Sequence, residues 1–313
     1  MKQYSYRHHK PIRLFPIILV TIVLVVSVVL YDSSTRIVTN EYELAYENLP
    51  ETFDGLRIVH ISDVHAAVFG DSNERLISMA REANPGIIAI TGDLIDGYDY
   101  PSPEIQLEVA ETLVKGLTPI APVFFVTGNH DWDSGKIQPL LEMLERCGVI
   151  ILQNSYRLLD VEDDTIIIAG IDDPNGPADM MKPHQLIEQI KKAQSDTFLL
   201  MLEHRNDHLP LYSVLDVDLI LSGHSHGGLI RLPFTDGLMG QDRDWFPSFT
   251  SGVYTMSDTN MVVSRGLGNH TGIPRVFNNP HLVVVVLRIP VEEPEEDPEL
   301  DPDLSEILSG LSE

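Results

Sequence analysis

Short runs of apolar residues that end in polar motifs recur along the chain. Each run is too short for a buried helix and is typical of a buried strand. The runs lie at Leu56–Ile61, Ile87–Ile90, Val123–Val126, Thr197–Leu202 and Leu219–Leu221. Helical patterns separate the first of them, at Asn73–Ala83, Pro103–Lys115 and Gly135–Arg146. This alternation of strands and helices predicts an α/β fold.

The second half of the chain adds short runs that are typical of hairpin strands. They lie at Arg157–Leu159, Thr165–Ala169, Val253–Met256, Asn260–Val263 and Leu282–Ile289. We expect these strands to form a second sheet that packs against the first. The sequence contains no internal repeat, which favours one large domain with appendages.

A continuous apolar segment near the N-terminus predicts a membrane anchor. Leu14–Leu30 contains no charged side chain, and as a helix it would span about 25 Å, enough for a thin bilayer. Residues 1–13 hold four basic and no acidic side chains, which predicts a cytoplasmic N-terminus. We therefore predict a single-pass signal-anchor over residues 14–31 of a cytoplasmic-membrane protein, with the following domain facing outward.

Two alternatives to an uncleaved anchor exist for this segment. A cleaved signal peptide should end in small residues at alternating positions, and the stretch Val28–Ser34 matches that pattern poorly. A buried core helix is the other alternative, but an apolar run behind a basic patch is more typical of targeting. The anchor is the favoured interpretation.

The flanking segments define the rest of the organisation. Residues 32–55 are predicted to be a tether and an edge strand, and residues 56–290 the main domain. Residues 291–313 are rich in proline and hold ten acidic and no basic side chains. Such a tail cannot bury a core and is predicted to be disordered.

Charge and cysteine content exclude some classes of function. The formal net charge is −26, so the surface should repel the backbone of a nucleic-acid duplex. The single cysteine, Cys147, cannot form an internal disulfide and excludes zinc fingers. Protein partners are not indicated by any feature of the sequence.

The polar motifs after the strands supply oxygen and nitrogen ligands. They read Asp63-Val64-His65, Gly92-Asp93, Gly128-Asn129-His130, His204 and Gly223-His224-Ser225-His226. The carboxyl ends of neighbouring strands meet in one crevice of an open α/β sheet. Each motif alone is more often a turn, a helix cap or a buried histidine. Together they predict a site for Mn, Fe or Zn.

The motif series resembles the calcineurin-like metallophosphoesterase superfamily. The stretches FDGLRIVHISDVH, GDLIDG, GNHD, GHSHGGLIRLPF and VSRGLG carry the resemblance, which covers about residues 50–290. The residues around these motifs most resemble a membrane-associated branch of bacterial phosphodiesterases of the YkuE and YaeI type. That branch is related to UDP-diacylglucosamine pyrophosphohydrolases. The resemblance implies a four-layer αββα sandwich of two mixed β-sheets.

The resemblance also implies a role for each motif residue. Asp63, His65 and His226 would hold one divalent metal ion. Asn129, His204 and His224 would hold a second, and Asp93 would bridge the two. His130 would stand beside the substrate phosphate, with its ring oriented by Asp96.

The implied function is a membrane-anchored, dinuclear phosphoesterase. It would hydrolyse a phosphodiester or pyrophosphate bond by attack of a hydroxide that bridges the metals. The apolar residues of loop 229–249, next to GHSHGG, favour a lipid-linked or envelope phosphate ester as substrate. The alternatives are a phosphodiesterase or phosphatase for soluble substrates that is merely tethered, and a non-catalytic metal-binding interaction module.

Three positions depart from the family pattern or have an open role. Leu229 stands where the branch often has Gln, and His281 stands where relatives usually have Glu. Arg265 could lie near the site or form an ion pair within an acidic domain. These departures bear on the substrate and not on the metal chemistry.

Overall fold

Two six-stranded sheets form the centre of the molecule in the computed structural model, which describes residues 14–232, 235–240, 245–269 and 272–291. The strands in chain order are Val38–Ala45 (β1), Arg57–Ile61 (β2), Ile87–Thr91 (β3), Val123–Val126 (β4), Ile150–Ile151 (β5), Ser155–Val161 (β6), Asp164–Gly170 (β7), Leu199–Leu202 (β8), Leu219–Ser222 (β9), Gly252–Met256 (β10), Thr259–Val263 (β11) and His281–Arg288 (β12).

Both sheets are mixed, and each has a parallel centre. The first has the order β1-β12-β2-β3-β4-β5, in which β2 to β5 are parallel and β12 runs antiparallel to β2. The second has the order β10-β11-β9-β8-β7-β6, in which β11, β9, β8 and β7 are parallel. The parallel strands of each sheet therefore end at a common edge, where ligand sites form in α/β proteins.

The helices are Leu14–Thr35 (α1), Glu74–Glu82 (α2), Pro103–Leu117 (α3), Asn129–Asp133 (α4), Ile137–Arg146 (α5), Pro183–Ala193 (α6) and Leu209–Val214 (α7). Five of them cover the outer faces of the two sheets. Buried residues of α2, α3 and α5 pack on the first sheet, and those of α6 and α7 on the second. A third cluster fills the space between the sheets. These layers confirm the predicted αββα sandwich. The run Leu282–Ile289 was expected in the second sheet, but as β12 it lies in the first, between β1 and β2.

Strand β8 illustrates why the central strands are apolar throughout. Leu199 and Met201 pack against α6 and α7, whereas Leu200 and Leu202 face the other sheet. Successive side chains of a strand point to opposite faces, so a strand that is covered on both faces needs an uninterrupted apolar run.

Helix α1 is the one helix in the described ranges that is long and apolar enough to cross a membrane. Its 22 residues span about 33 Å and have a mean hydropathy of 2.9 over the most apolar window. Only Ser33 is buried against the rest of the protein. This exposure excludes the alternative of a buried core helix, whose apolar side chains would be covered.

The junction between α1 and the domain differs from the predicted tether. The helix extends to Thr35, and the edge strand β1 begins at Val38, so the connection is direct. Arg36 forms an ion pair with Asp32 one turn earlier, at 2.6 Å, and Asn279 Nδ2 donates to the Asp32 carbonyl at 2.7 Å. These contacts continue the helix and fix its end to the domain. The predicted basic N-terminus and acidic tail fall at residues 1–13 and 292–313, outside the described residues.

Candidate metal centre

The seven predicted ligands follow strands from both sheets and converge at one edge of the sandwich. Backbone hydrogen bonds connect the loops that carry them. His65 N donates to Asp93 O at 2.9 Å, and Gly223 N donates to His204 O at 3.0 Å. The first bond joins the loops after β2 and β3, and the second joins those after β8 and β9. The loop connections thus bring distant ligands together.

Asp63, His65 and His226 form the first cluster of potential ligand atoms. His65 Nε2 lies 3.1 Å from His226 Nε2, which is 3.4 Å from Asp63 Oδ1. All three side chains are buried. Ligand atoms about 2.0–2.2 Å from a shared ion lie roughly 3–3.6 Å from one another. The geometry of this cluster therefore fits one divalent cation.

Asn129, His204 and His224 form the second cluster. His204 Nε2 lies 3.1 Å from Asn129 Oδ1 and 3.2 Å from His224 Nδ1. His204 Nδ1 donates to the carbonyl of Thr91 at 2.7 Å, which leaves its Nε2 lone pair directed at the cluster. The separations again match ligands around one ion.

Asp93 lies between the two clusters. Its Oδ2 is 3.6 Å from His65 Nε2 and 3.2 Å from His204 Nε2, and it has no hydrogen-bond partner among the described residues. Its Oδ1 accepts a hydrogen bond from His130 N at 2.8 Å. A buried carboxylate oxygen without a donor is costly unless a cation compensates it. This oxygen is placed where one atom could bridge two ions.

Burial disfavours the charged form of both carboxylates, Asp63 and Asp93, so both would be stabilised by nearby cations. Burial raises the pKa of Asp63 to about 6. Burial also opposes ionisation of Asp93, but the charge of nearby His204 outweighs it and lowers the pKa of Asp93. Cations beside both groups would favour the charged form of each.

Five of the seven predicted ligands have left-handed backbone conformations. The φ angles are 50° at Asp63, 46° at His65, 51° at Asp93, 65° at His224 and 46° at His226. Such conformations cost about 1–3 kcal/mol each in non-glycine residues and persist where surrounding contacts enforce them. Because so many of the predicted ligands have this conformation, the loops lose some stability in exchange for directing these side chains towards the two clusters.

The carboxylate of Asp131 holds the loops of the centre in place. It accepts hydrogen bonds from the backbone N–H groups of Asp93 and Leu94 at 2.9 Å, Gly128 at 2.8 Å and Ile95 at 3.2 Å. The side chain is completely buried. The sequence interpretation assigned no role to this residue, although it closes the GNHD motif.

His130 lies beside the clusters, and Asp96 contacts its ring as the resemblance implies. His130 Nδ1 is 3.1 Å from Asp96 Oδ1, and His130 is 8% exposed. Burial opposes protonation, but the hydrogen bond to Asp96 and the charge of Asp93 outweigh it and raise the pKa of His130. Gln106 on α3 fixes the loop by accepting from Asp96 N at 2.7 Å and donating to Tyr98 O.

The three departures occupy the surroundings of the centre. Leu229 is fully buried directly after the GHSHGG turn. His281 is also buried, and its Nδ1 accepts a hydrogen bond from Arg265 N at 3.2 Å. In the described ranges Arg265 forms no ion pair, in contrast to one of the alternatives for this residue. Its side chain packs beside Gly227 instead.

Comparison with known proteins identifies the family of this chain. The family model for calcineurin-like phosphoesterases matches residues 56–228. A transmembrane protein with metallophosphoesterase domain from Danio rerio is 31% identical over 79% of this chain and 56% of its own length. The metallophosphoesterase YkuE of Bacillus subtilis is 29% identical over 82% of this chain and 88% of its own. The chain thus spans about half the length of the zebrafish relative.

Among solved structures, a dimetal phosphatase from Danio rerio aligns with a TM-score of 0.43 at 12% identity. The alignment covers 68% of this chain and 88% of that one. The family match confirms the resemblance stated above.

Proposed function

Because this chain belongs to the calcineurin-like phosphoesterase family and is a metal-dependent phosphoesterase, we propose that it hydrolyses phosphodiester or pyrophosphate bonds at a dinuclear centre. One divalent ion would be held by Asp63, His65 and His226. The other would be held by Asn129, His204 and His224. The observation that carries the proposal is Asp93 Oδ2, which has no hydrogen-bond donor and faces both clusters.

Each side chain has a defined part in the proposed reaction. When bound, the two ions would supply Lewis-acid stabilisation and activate a water at neutral pH. Asn129 contributes a neutral oxygen, which limits the negative charge that an anionic substrate meets. His130, oriented and kept protonated by Asp96, donates a proton to the leaving alkoxide or a hydrogen bond to the phosphate.

Loop 229–249 supports a lipid-linked or envelope substrate over a soluble one. Met239 N donates to Gly228 O at 3.4 Å, so this loop folds back onto the GHSHGG turn. At its far end Trp245 is 69% exposed and Phe246 is 73% exposed. Exposed aromatic side chains are typical of surfaces that enter a membrane interface. Exposed aromatic side chains on a loop that contacts the GHSHGG turn suit a substrate that stays in the bilayer.

The substrate proposal predicts a preference for membrane-borne esters. Full-length protein in proteoliposomes should hydrolyse a lipid phosphodiester in the same bilayer faster than soluble bis-aryl phosphate, and a chelator should abolish both activities. Replacing Trp245 and Phe246 together by Ser should slow only the lipid reaction, by at least about tenfold, because two aromatic contacts are lost.

The matched control is Leu158→Ser, which removes an exposed apolar side chain from the β6–β7 hairpin. Loss of the lipid preference in the control as well would indicate a general effect. Equal turnover of both substrates by the wild type would favour a general phosphodiesterase that is merely tethered.

We further propose that α1 anchors the protein in the cytoplasmic membrane with the domain outside. Protease added to intact cells is then expected to remove the domain, because the basic residues 1–13 hold the N-terminus inside. Immunoblotting for a C-terminal tag measures the loss, and a cytoplasmic protein serves as the control. A domain that is digested only after lysis would refute this orientation.

A further inference from the structure

A cavity of about 260 Å³ lies between the end of α1 and the loop that follows His65. Ser34 and Thr35 of α1 form one side, and residues 67–70 form another. Leu267, Gly268, Asn269, Arg75 and Arg275 complete the lining. We call it the α1 cavity. The side chains described above for the two clusters do not line it.

The α1 cavity lies at the depth of lipid headgroups if α1 crosses a bilayer. The apolar run Leu14–Leu30 spans about 25 Å and occupies the hydrocarbon region. Tyr31 and the turn that follows it then lie in the interface. Because Ser34 and Thr35 belong to that turn and line the cavity, a lipid beside α1 has its headgroup next to the opening.

The charge of the α1 cavity is positive in a strongly acidic protein. Among the described residues, its lining contains Arg75 and Arg275 and no acidic side chain. Arg75 is exposed, and its Nη1 donates only to Thr35 O at 3.3 Å in the described ranges. An anion that enters the cavity therefore meets two guanidinium groups and no carboxylate.

Arg275 is the group for which an anionic ligand matters most. It is 2% exposed and has no carboxylate oxygen within 4.0 Å in the part of the chain that is described. Its Nε and Nη2 donate to Gly268 O, its Nη1 donates to Asn278 O at 3.4 Å, and its Nη2 also lies 3.2 Å from His226 Nδ1. All of these partners are uncharged backbone carbonyls or a histidine nitrogen, so none of them is a counter-ion. A buried charge without a counter-ion is unfavourable.

We propose that the α1 cavity binds the phosphate group of an anionic membrane lipid between Arg75 and Arg275. The proposal rests on the proposed function in one respect, namely that α1 lies in a membrane. The volume is just below the roughly 300–1,000 Å³ of pockets for drug-sized ligands, so it suits a phosphate with a few attached atoms and not a nucleotide. Val68, 51% exposed at the rim, can contact the apolar part of the lipid. Through Arg275 and His226 the bound phosphate lies beside the first cluster.

Binding to the metal-free protein tests this site separately from hydrolysis. Full-length protein in neutral detergent with a chelator is titrated calorimetrically with short-chain phosphatidic acid, with diacylglycerol of the same chain length and with inorganic phosphate. We expect saturable binding of phosphatidic acid, at least about tenfold weaker binding of inorganic phosphate, and none of diacylglycerol. Arg75→Gln and Arg275→Gln should each weaken phosphatidic acid binding at least about tenfold, because each removes a charge-assisted hydrogen bond.

The matched control is Arg81→Gln, which removes an exposed arginine from the same helix α2 without touching the α1 cavity. Arg75→Gln keeps the test decisive if the buried Arg275 variant does not fold. Equal affinity of the Arg75 and Arg81 variants would overturn the proposal. Inorganic phosphate that binds as tightly as the lipid would overturn the assignment to a lipid. If the protein hydrolyses phosphodiesters but does not bind phosphatidic acid in the α1 cavity, only this inference is refuted. If it binds phosphatidic acid there but does not hydrolyse phosphodiesters, only the proposed function is refuted.

Discussion

The Asp93→Asn variant is expected to hydrolyse its substrate more than about 100-fold more slowly than the wild type and to bind fewer than two metal ions. Asn has the same shape but lacks the negative charge that would compensate two dications. One Asp93 oxygen already accepts a hydrogen bond from His130 N, so only Oδ2 faces both clusters. Changes in residues that merely support metal ligands typically cost 10–100-fold. Loss of the shared ligand itself should exceed that range.

Metal content by mass spectrometry and turnover of a bis-aryl phosphate measure this effect together. Asp258→Asn, at the exposed turn of the β10–β11 hairpin, is the matched control and should keep two ions and full activity. A melting curve establishes that the Asp93 variant is folded. Two bound ions together with wild-type turnover in Asp93→Asn would contradict the bridging role.

The His130→Ala variant should keep both metal ions, and its turnover should fall about 10²–10⁴-fold, which is the usual effect of removing a general acid. The imidazole contacts Asp96 through Nδ1 and packs edge-on against the His65 ring, with centroids 4.9 Å apart, and the backbone N–H donates to Asp93 Oδ1. The ring belongs to neither proposed ligand set, so both sets should keep their ligands without it. Esters with good leaving groups need little protonation, so their hydrolysis should suffer less than that of alkyl esters.

A series of phosphodiesters with leaving groups of increasing pKa separates two roles of His130. A steeper dependence of turnover on the leaving-group pKa in His130→Ala supports proton donation. His184→Ala, on the exposed side of α6, is the matched control and should leave the series unchanged. An equal loss across the series would indicate that His130 binds the phosphate without donating a proton, and loss of metal would contradict its placement outside the clusters.

The strands and the polar residues after them could be predicted because the burial of a strand in the fold requires an apolar run that is visible in the sequence. A strand such as β8 is covered on both faces and must be apolar along its whole length. Parallel strands of one sheet end at one edge, so Asp63 after β2 and Asp93 after β3 could be expected to meet. The left-handed conformations at most of these ligands were not predictable, since the sequence there contains Asp and His instead of glycine.

Helices α6 and α7 were absent from the sequence interpretation. The six residues of α7, with Pro210 in its first turn, are too few for a periodic pattern. Helix α6 has an amphipathic pattern and a proline at its start, which could have revealed it. The runs on either side of α6 are typical of strands. That α6 and α7 cover the second sheet became evident only in the tertiary structure.

By itself, the pattern of the sequence determined the α/β class with a second sheet, the apolar anchor segment and the set of candidate ligands, because each depends on side-chain pattern within a short stretch. The four-layer αββα arrangement was implied by the family resemblance. The tertiary structure decided the direct junction of α1 with β1, the four hydrogen bonds to Asp131 and the burial of Arg275 beside His226. Several of these contacts join residues that are tens of positions apart, such as Asp131 with Asp93 and Arg275 with His226. Their energies come from desolvation and from hydrogen bonds that exist only after the sheets have packed, so no local pattern encodes them.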